Sequence, residues 1–283
     1  MIVITGASGQ LGRLVINILL KSVPAHEIIA AVRNPRKVDD LAALGVQVRQ
    51  ADYDQPETLV KAFQGANKLL LISSNAVGQR VPQHRAVIEA AKQVNIGLLA
   101  YTSILHADHS PLPLAVEHQA TESLILASGI PAVLLRNGWY SENYLASIPA
   151  ALQYGVLLGS AGDGRIASAA CADYAAVAAA VLTGTDQAGR IYELAGDESY
   201  DLSEFAQAIS QQSGKTVVYQ NLPEPEFRAA LIGAGLPESL ATLLAESDVG
   251  ASKGGLFDNS RQLSQLIGRP TLPIAVQIKT VLQ

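Results

Sequence analysis

Three glycines stand at regular three-residue spacing in Thr5-Gly6-Ala7-Ser8-Gly9-Gln10-Leu11-Gly12, between a short apolar run and an amphipathic stretch, Gln10–Lys21. The chemistry suited to such a loop is phosphate binding. Glycine at the turn tolerates positive φ, and missing side chains let an anion reach backbone N–H groups. The third glycine lets the next helix lie close on a sheet. A helix start adds partial positive charge facing the anion. Gly6, Ala7, Ser8, Gly9, Gln10, Leu11 and Gly12 are therefore expected to cradle the pyrophosphate of a dinucleotide. Their spacing is one residue longer than G-x-G-x-x-G but makes the same physical demand. The plain alternative is a chance glycine cluster at a tight turn.

The end of the next apolar run selects the cofactor. NAD-specific sites place Asp or Glu there, to accept from the ribose 2′-hydroxyl. This chain instead reads Val32-Arg33-Asn34-Pro35-Arg36-Lys37. A carboxylate would repel a 2′-phosphate, whereas a guanidinium grips it bidentately. Arg33, helped by Lys37, is expected to select NADPH over NADH, the alternative being a solvated basic turn. Asp52 follows the third run and either meets the adenine amino group or is an ordinary turn carboxylate. Ser73, Ser74 and Asn75 follow the fourth and offer small polar contacts beside the cofactor.

Many enzymes with such a glycine loop carry a Tyr-x-x-x-Lys pair. Here Tyr101, Tyr140 and Tyr144 have Leu105, Tyr144 and Ile148 four residues on, and the usual lysine and tyrosine positions hold His118 and Leu114. The acid–base pair for alcohol oxidation is thus missing. His106 and His109 stand close together, but no H-E-x-x-H or cysteine cluster supports a metal, and no G-x-S-x-G elbow supports a serine nucleophile.

The elements that must position these residues follow from periodicity. Apolar runs at Ile2–Thr5, Ile28–Val32, Val46–Arg49, Lys68–Ile72, Leu98–Thr102 and Ala132–Leu135 alternate with helix-like segments at about 10–21, 35–44, 56–63, 79–94 and 114–128. Runs without strict alternation indicate strands covered on both faces, and strand–helix alternation indicates right-handed βαβ units. The expected class is α/β, a doubly wound parallel Rossmann sheet with a smaller, mostly helical C-terminal lobe. A further strand is expected at Ile191–Leu194, reached through a helix starting near Asp173, and a short one at Thr216–Tyr219. Ser247–Gly255 reads as a mobile loop or cleft wall. The expected division is 1–136 plus about 170–196 for the NADPH-binding domain, and 137–169 plus 197–283 for a lobe laid over the sheet's carboxyl edge.

Composition bounds the rest. The 283 residues are 49% hydrophobic and 16% charged, which excludes intrinsic disorder, and the net charge of −5 argues against nucleic acid as the main partner. One cysteine, Cys171, excludes a disulfide framework and suits a reducing cytoplasm. No apolar run is long enough to span a bilayer and the N-terminus has no leader pattern, so a soluble cytoplasmic protein without membrane partners is expected, as monomer or homodimer.

Thr5–Gly12, Arg33-Asn34-Pro35, Tyr101-Thr102-Ser103 and above all Arg136-Asn137-Gly138-Trp139-Tyr140-Ser141-Glu142-Asn143-Tyr144 resemble the NmrA-like branch of atypical short-chain dehydrogenases/reductases. The likeness extends over essentially the whole chain. Within that branch it implies an NADPH-dependent two-electron reductase of quinones, transferring hydride directly without flavin or metal. It implies cofactor contacts at Gly6–Leu11, Arg33, the Ser73 region and the loop of Asn137, Gly138, Trp139 and Tyr140. Cys171 stands where the resemblance leads one to expect arginine, and is read as a small packed hydrophobe, the alternative being a redox-sensitive thiol. A quinone accepts hydride readily, so alignment matters more than an acid–base pair. Trp139, Tyr140 and Tyr144 either shelve a flat ring or form a core cluster. Asn143 either donates to a quinone oxygen or is a solvated amide. His118 is a proton donor if it faces the cleft, and otherwise a surface histidine. The competing reading is a non-catalytic NADP(H)-binding redox sensor.

Overall fold

The computed structural model describes residues 1–283. Strands and helices alternate from the amino terminus: β1 (Ile2–Ile4), α1 (Gln10–Leu19), β2 (Ile28–Val32), α2 (Asp39–Ala43), β3 (Gln47–Gln50), α3 (Pro56–Phe63), β4 (Lys68–Leu71), α4 (Arg80–Gln93), β5 (Leu98–Ile104), α5 (Ala115–Ser128) and β6 (Ala132–Asn137). Then come α6 (Ser141–Leu145), α7 (Ile148–Tyr154), β7 (Val156–Gly159), α8 (Cys171–Thr183), β8 (Ile191–Leu194), α9 (Leu202–Ser213) and β9 (Val218–Asn221). Four helices finish the chain: α10 (Glu224–Gly233), α11 (Glu238–Ser252), α12 (Gln262–Ile267) and α13 (Ile274–Val281).

The main sheet has seven strands in the order β3-β2-β1-β4-β5-β6-β8. Parallel registers such as Ile4↔Ala30, Ile4↔Leu70 and Leu70↔Ala100 align the strands' carboxyl ends. Every residue of β1, β2 and β5 is buried, which explains why their sequences lack polar alternation. One face packs Val3, Ile29, Leu69 and Leu99 against Phe63, Val87 and Ile125. The strand order reverses beside β1, creating the crevice in which open α/β sheets bind ligands. No helix is long and apolar enough to cross a membrane.

The chain divides into two units, one of residues 1–107, 116–137 and 171–192, the other of 108–115, 138–170 and 193–283. Besides its helices, the second contains a parallel pair, β7 with β9, in register Val156↔Val218 to Gly159↔Asn221. The sequence pattern does not reveal β7, and the strand expected at 216–219 lies two residues later. The segment expected to be helical over 35–44 is a 3₁₀ turn, Pro35–Val38, followed by the five-residue α2. Asn34 causes the tight start, its Oδ1 accepting from the Arg36 N–H at 3.1 Å.

The larger correction concerns Ser247–Gly255. It is not a loop over most of its length, because α11 continues to Ser252. The small residues there serve close packing: a Cβ on Gly250 would lie 2.9 Å from the Leu112 side chain. Ser247, Asp248 and Ala251 are likewise buried.

Candidate cofactor-binding site

A cavity of about 440 Å³ runs along the carboxyl ends of β3, β2, β1 and β4, entirely within the first unit. Its walls come from four loops. Gly6, Ser8 and Gly9 follow β1, Arg33, Asn34 and Lys37 follow β2, Asp52 to Asp54 follow β3, and Ser73 to Ala76 follow β4.

Glycine is required at two points of the first loop. Gly6 has φ +59°, and its carbonyl accepts from Gly9 N–H at 2.9 Å to close the turn. A Cβ on Gly12 would sit 2.7 Å from both the Gly6 carbonyl oxygen and Ala7 Cα, so α1 could not approach this closely with any other residue. Gly9 caps α1 without a side-chain bond, and the first helical N–H groups have no acceptor within the helix. Ala7 and Leu11 bury their side chains in the core, so only their backbone can meet a ligand. A pyrophosphate fits this cradle of bare backbone at a helix start.

Arg33 and Lys37 are exposed where they border the cavity. Their turn is braced by Arg13 of α1, which donates to the Lys37 carbonyl at 2.5 Å and pairs with Asp40 at 2.6 Å. Two cations beside a cradle for phosphate suit an anionic group. Asp52 accepts from the Asp54 N–H at 3.2 Å, closing its own turn. Asp54 in turn accepts from Gln83 Nε2 at 3.2 Å, and Gln83 Oε1 accepts from Ser74 Oγ at 2.6 Å. Gln83 therefore joins the walls that follow β3 and β4. Ser73 N–H donates to Thr102 Oγ1 at 2.8 Å, and Ser74 N–H to His84 Nε2 at 2.9 Å. At the end of β6, Asn137 is buried and its Oδ1 has no hydrogen-bond partner, an acceptor suited to a ligand donor.

His118 is neither on the surface nor protonated. It is buried on α5, its Nδ1 2.8 Å from the Tyr101 hydroxyl and its Nε2 3.4 Å from Arg80 Nη1. Arg80 only donates, so Nε2 accepts and the ring proton resides on Nδ1, pointing at Tyr101 Oη. Burial, reinforced by Arg80, lowers its pKa to about 3. The same causes lower that of His84 to about 4. As a neutral imidazole tied at both nitrogens, His118 has no imidazolium proton to deliver at neutral pH.

In the second unit, Gly138 N–H donates to the Leu194 carbonyl at 2.7 Å, and Tyr140 bridges to Ala169 before α6 begins. Tyr140 is half-buried and Asn143 is exposed. Trp139 and Tyr144 are buried. Tyr144 donates its hydroxyl to Asp248 Oδ1 at 2.9 Å, and the Ser160 N–H donates to Oδ2 at 2.8 Å. Tyr144 thus packs as core and is not an open shelf. Burial raises the Asp248 carboxyl to about 6. Cys171 is buried at the start of α8.

The sequence pattern does not single out Arg13, Gln83, Arg80 or His84. The available signal was the i, i+4 pairing of Arg80 with His84 on a predicted helix, both on a face that packing buries.

The profile of the NmrA-like family matches residues 1–267. Quinone oxidoreductase 2 of Escherichia coli K12 is 60% identical over 278 residues, covering 98% of this chain and 97% of that protein. The crystal structure of the E. coli NADPH-dependent quinone oxidoreductase complexed with NADPH superposes with a TM-score of 0.98, at 59% identity and full coverage of both chains. Citrobacter triphenylmethane reductase complexed with NADP(H) gives 0.96 at 39% identity, covering 99% of this chain and all of the other. With the family match and these full-length likenesses added to the sheet order and the glycine cradle, the chain belongs to the NmrA-like family.

Proposed function

We propose that this chain is an NADPH-dependent oxidoreductase that reduces small quinones to hydroquinones, acting in the cytoplasm as a monomer or homodimer. The observation that carries the reading is the pairing of the glycine cradle with Arg33 and Lys37 on one cavity. It is supported by 60% identity to a quinone oxidoreductase over nearly the whole chain. NADPH when bound supplies the hydride, and with one proton from the medium the quinone becomes a hydroquinone.

The chain's own residues have five assignments. The backbone of Gly6–Gly12 holds the pyrophosphate. Arg33 and Lys37 hold the 2′-phosphate, which a carboxylate at the end of β2 would repel. Ser73, Ser74 and the segment Asn137–Tyr140 border the cofactor, with the unpartnered Asn137 Oδ1 accepting from its amide. Asn143, exposed on α6, donates to a quinone oxygen as charge develops there, and Tyr140 lies along the ring. His118 acts by holding Tyr101 and Arg80 in place, and the final proton comes from water. Direct hydride transfer without flavin or metal completes the proposal.

The test is loss of NADPH absorbance when small quinones are added to protein freed of flavin and metal. Turnover that depends on quinone and prefers NADPH to NADH is expected. NADPH binding with no consumption across a broad quinone panel would overturn the catalytic reading in favour of a cofactor sensor. Restoration of turnover only by added flavin would overturn direct transfer.

A further inference from the structure

Behind the cavity wall that follows β4 lies a buried polar group, none of which touches the reacting atoms in the reading above. Ser74 lines the cavity, and both of its backbone groups are gripped by α4. Its N–H donates to His84 Nε2 at 2.9 Å, and Arg80 Nε donates to its carbonyl. Arg80 and His84 are four residues apart, so one face of one helix holds one residue from both sides.

Each gripping side chain is itself backed from α5. His84 Nδ1 is 2.9 Å from Thr121 Oγ1, whose own proton goes to the Glu117 carbonyl at 2.9 Å. Ser74 N–H needs an acceptor at Nε2, so the His84 proton resides on Nδ1 and points at Thr121. Arg80 meets the Nε2 of His118 as described, and His118 rests on Tyr101. Arg80, His84, Tyr101, His118 and Thr121 are all buried. An apolar seam between α4 and α5 would pack without the desolvation cost these groups carry. Their polarity converges on a single backbone residue of the cavity wall.

We propose that Arg80 and His84 are positioning residues for the cofactor, setting the shape of the Ser73–Ala76 wall and hence NADPH affinity through the Ser74 backbone. The inference rests on the cofactor reading above and adds to it the residues that fix the site's geometry. Gln83 extends the device, because its side chain carries the placement of Ser74 across to Asp54 on the opposite wall.

The test measures NADPH affinity by cofactor fluorescence, together with quinone turnover at saturating NADPH. His84→Leu removes the acceptor for the Ser74 N–H and is expected to weaken NADPH binding roughly tenfold. Turnover at saturation should stay within about twofold, since no reacting group is touched. His84→Gln restores an acceptor and is expected to recover most of the affinity. If His84→Leu does not fold, Thr121→Val leaves His84 in place but removes the acceptor for its Nδ1 proton, with an expected loss of about threefold. Unchanged affinity in the variant that folds, or a fall in turnover with affinity intact, would overturn the clamp. A native chain that binds no NADPH would overturn the cofactor reading itself, and the clamp with it.

Discussion

The coenzyme choice proposed above rests on a single side chain. Arg33 is exposed beside the cavity, and its turn is braced by Arg13, so removing its charge should leave the fold unchanged. Arg33→Asp is expected to raise the KM for NADPH by tenfold or more, with a matching fall in the preference for NADPH over NADH, read from initial rates with both coenzymes. Asp248 carries a different consequence. It keeps its proton up to about pH 6 in the folded chain, against 3.8 for an ordinary aspartate. Between those values the folded state binds more protons than the unfolded one, so stability falls as pH rises through this window. The loss is on the order of 3 kcal/mol once pH is above about 7. Asp248→Asn keeps the shape without the charge. Its urea-unfolding stability is expected to exceed that of the native chain by about 1–3 kcal/mol near pH 8, with the difference vanishing near pH 4. The place of Arg33 on the cavity wall was legible in the sequence because a basic residue at the end of β2 has a direct electrostatic meaning. Asp248 was not, because nothing local marks a carboxyl whose partners, Tyr144 and Ser160, lie about a hundred residues away.

Among the elements, the sheet strands were legible because burial on both faces leaves unbroken apolar runs, as at Ile28–Val32 and Leu98–Ile104. The pair β7 and β9 was harder to read, since each is only four residues long and neither is buried throughout as the central strands are. The end of α11 was misread because glycine and serine favour turns in isolation, whereas here Gly250 is selected by the nearness of Leu112. Tertiary contact overrides propensity at such a site. The alanine-rich helix α8 shows a further contact invisible to pattern. It has no basic residue in its last turn, yet Lys68 from the start of β4 donates to the carbonyls of Leu182 at 2.7 Å and Gly184 at 3.1 Å. A cation there satisfies helix-end carbonyls and opposes the helix dipole. Lys68→Met keeps the length of the side chain and is expected to lower stability by about 1–2 kcal/mol, measured by thermal or urea unfolding, with no change in coenzyme preference.

For the molecule as a whole, ligand binding and stability are linked. A coenzyme present at about a hundred times its Kd adds roughly 2.7 kcal/mol to a state that alone can bind it. NADPH is therefore expected to raise the thermal midpoint by several degrees, and NADH at equal concentration by less. A larger effect of NADH would contradict the role given to Arg33. The loops that line the cavity were readable because glycine and basic motifs after β1 and β2 are local signals. The proposed quinone contacts were not, because Tyr140 and Asn143 have no spacing that fixes their chemistry. The chain passes from one unit to the other after residues 107, 115, 137, 170 and 192, five times in all. Neither unit is a contiguous stretch that a protease could release or a truncated reading frame could encode.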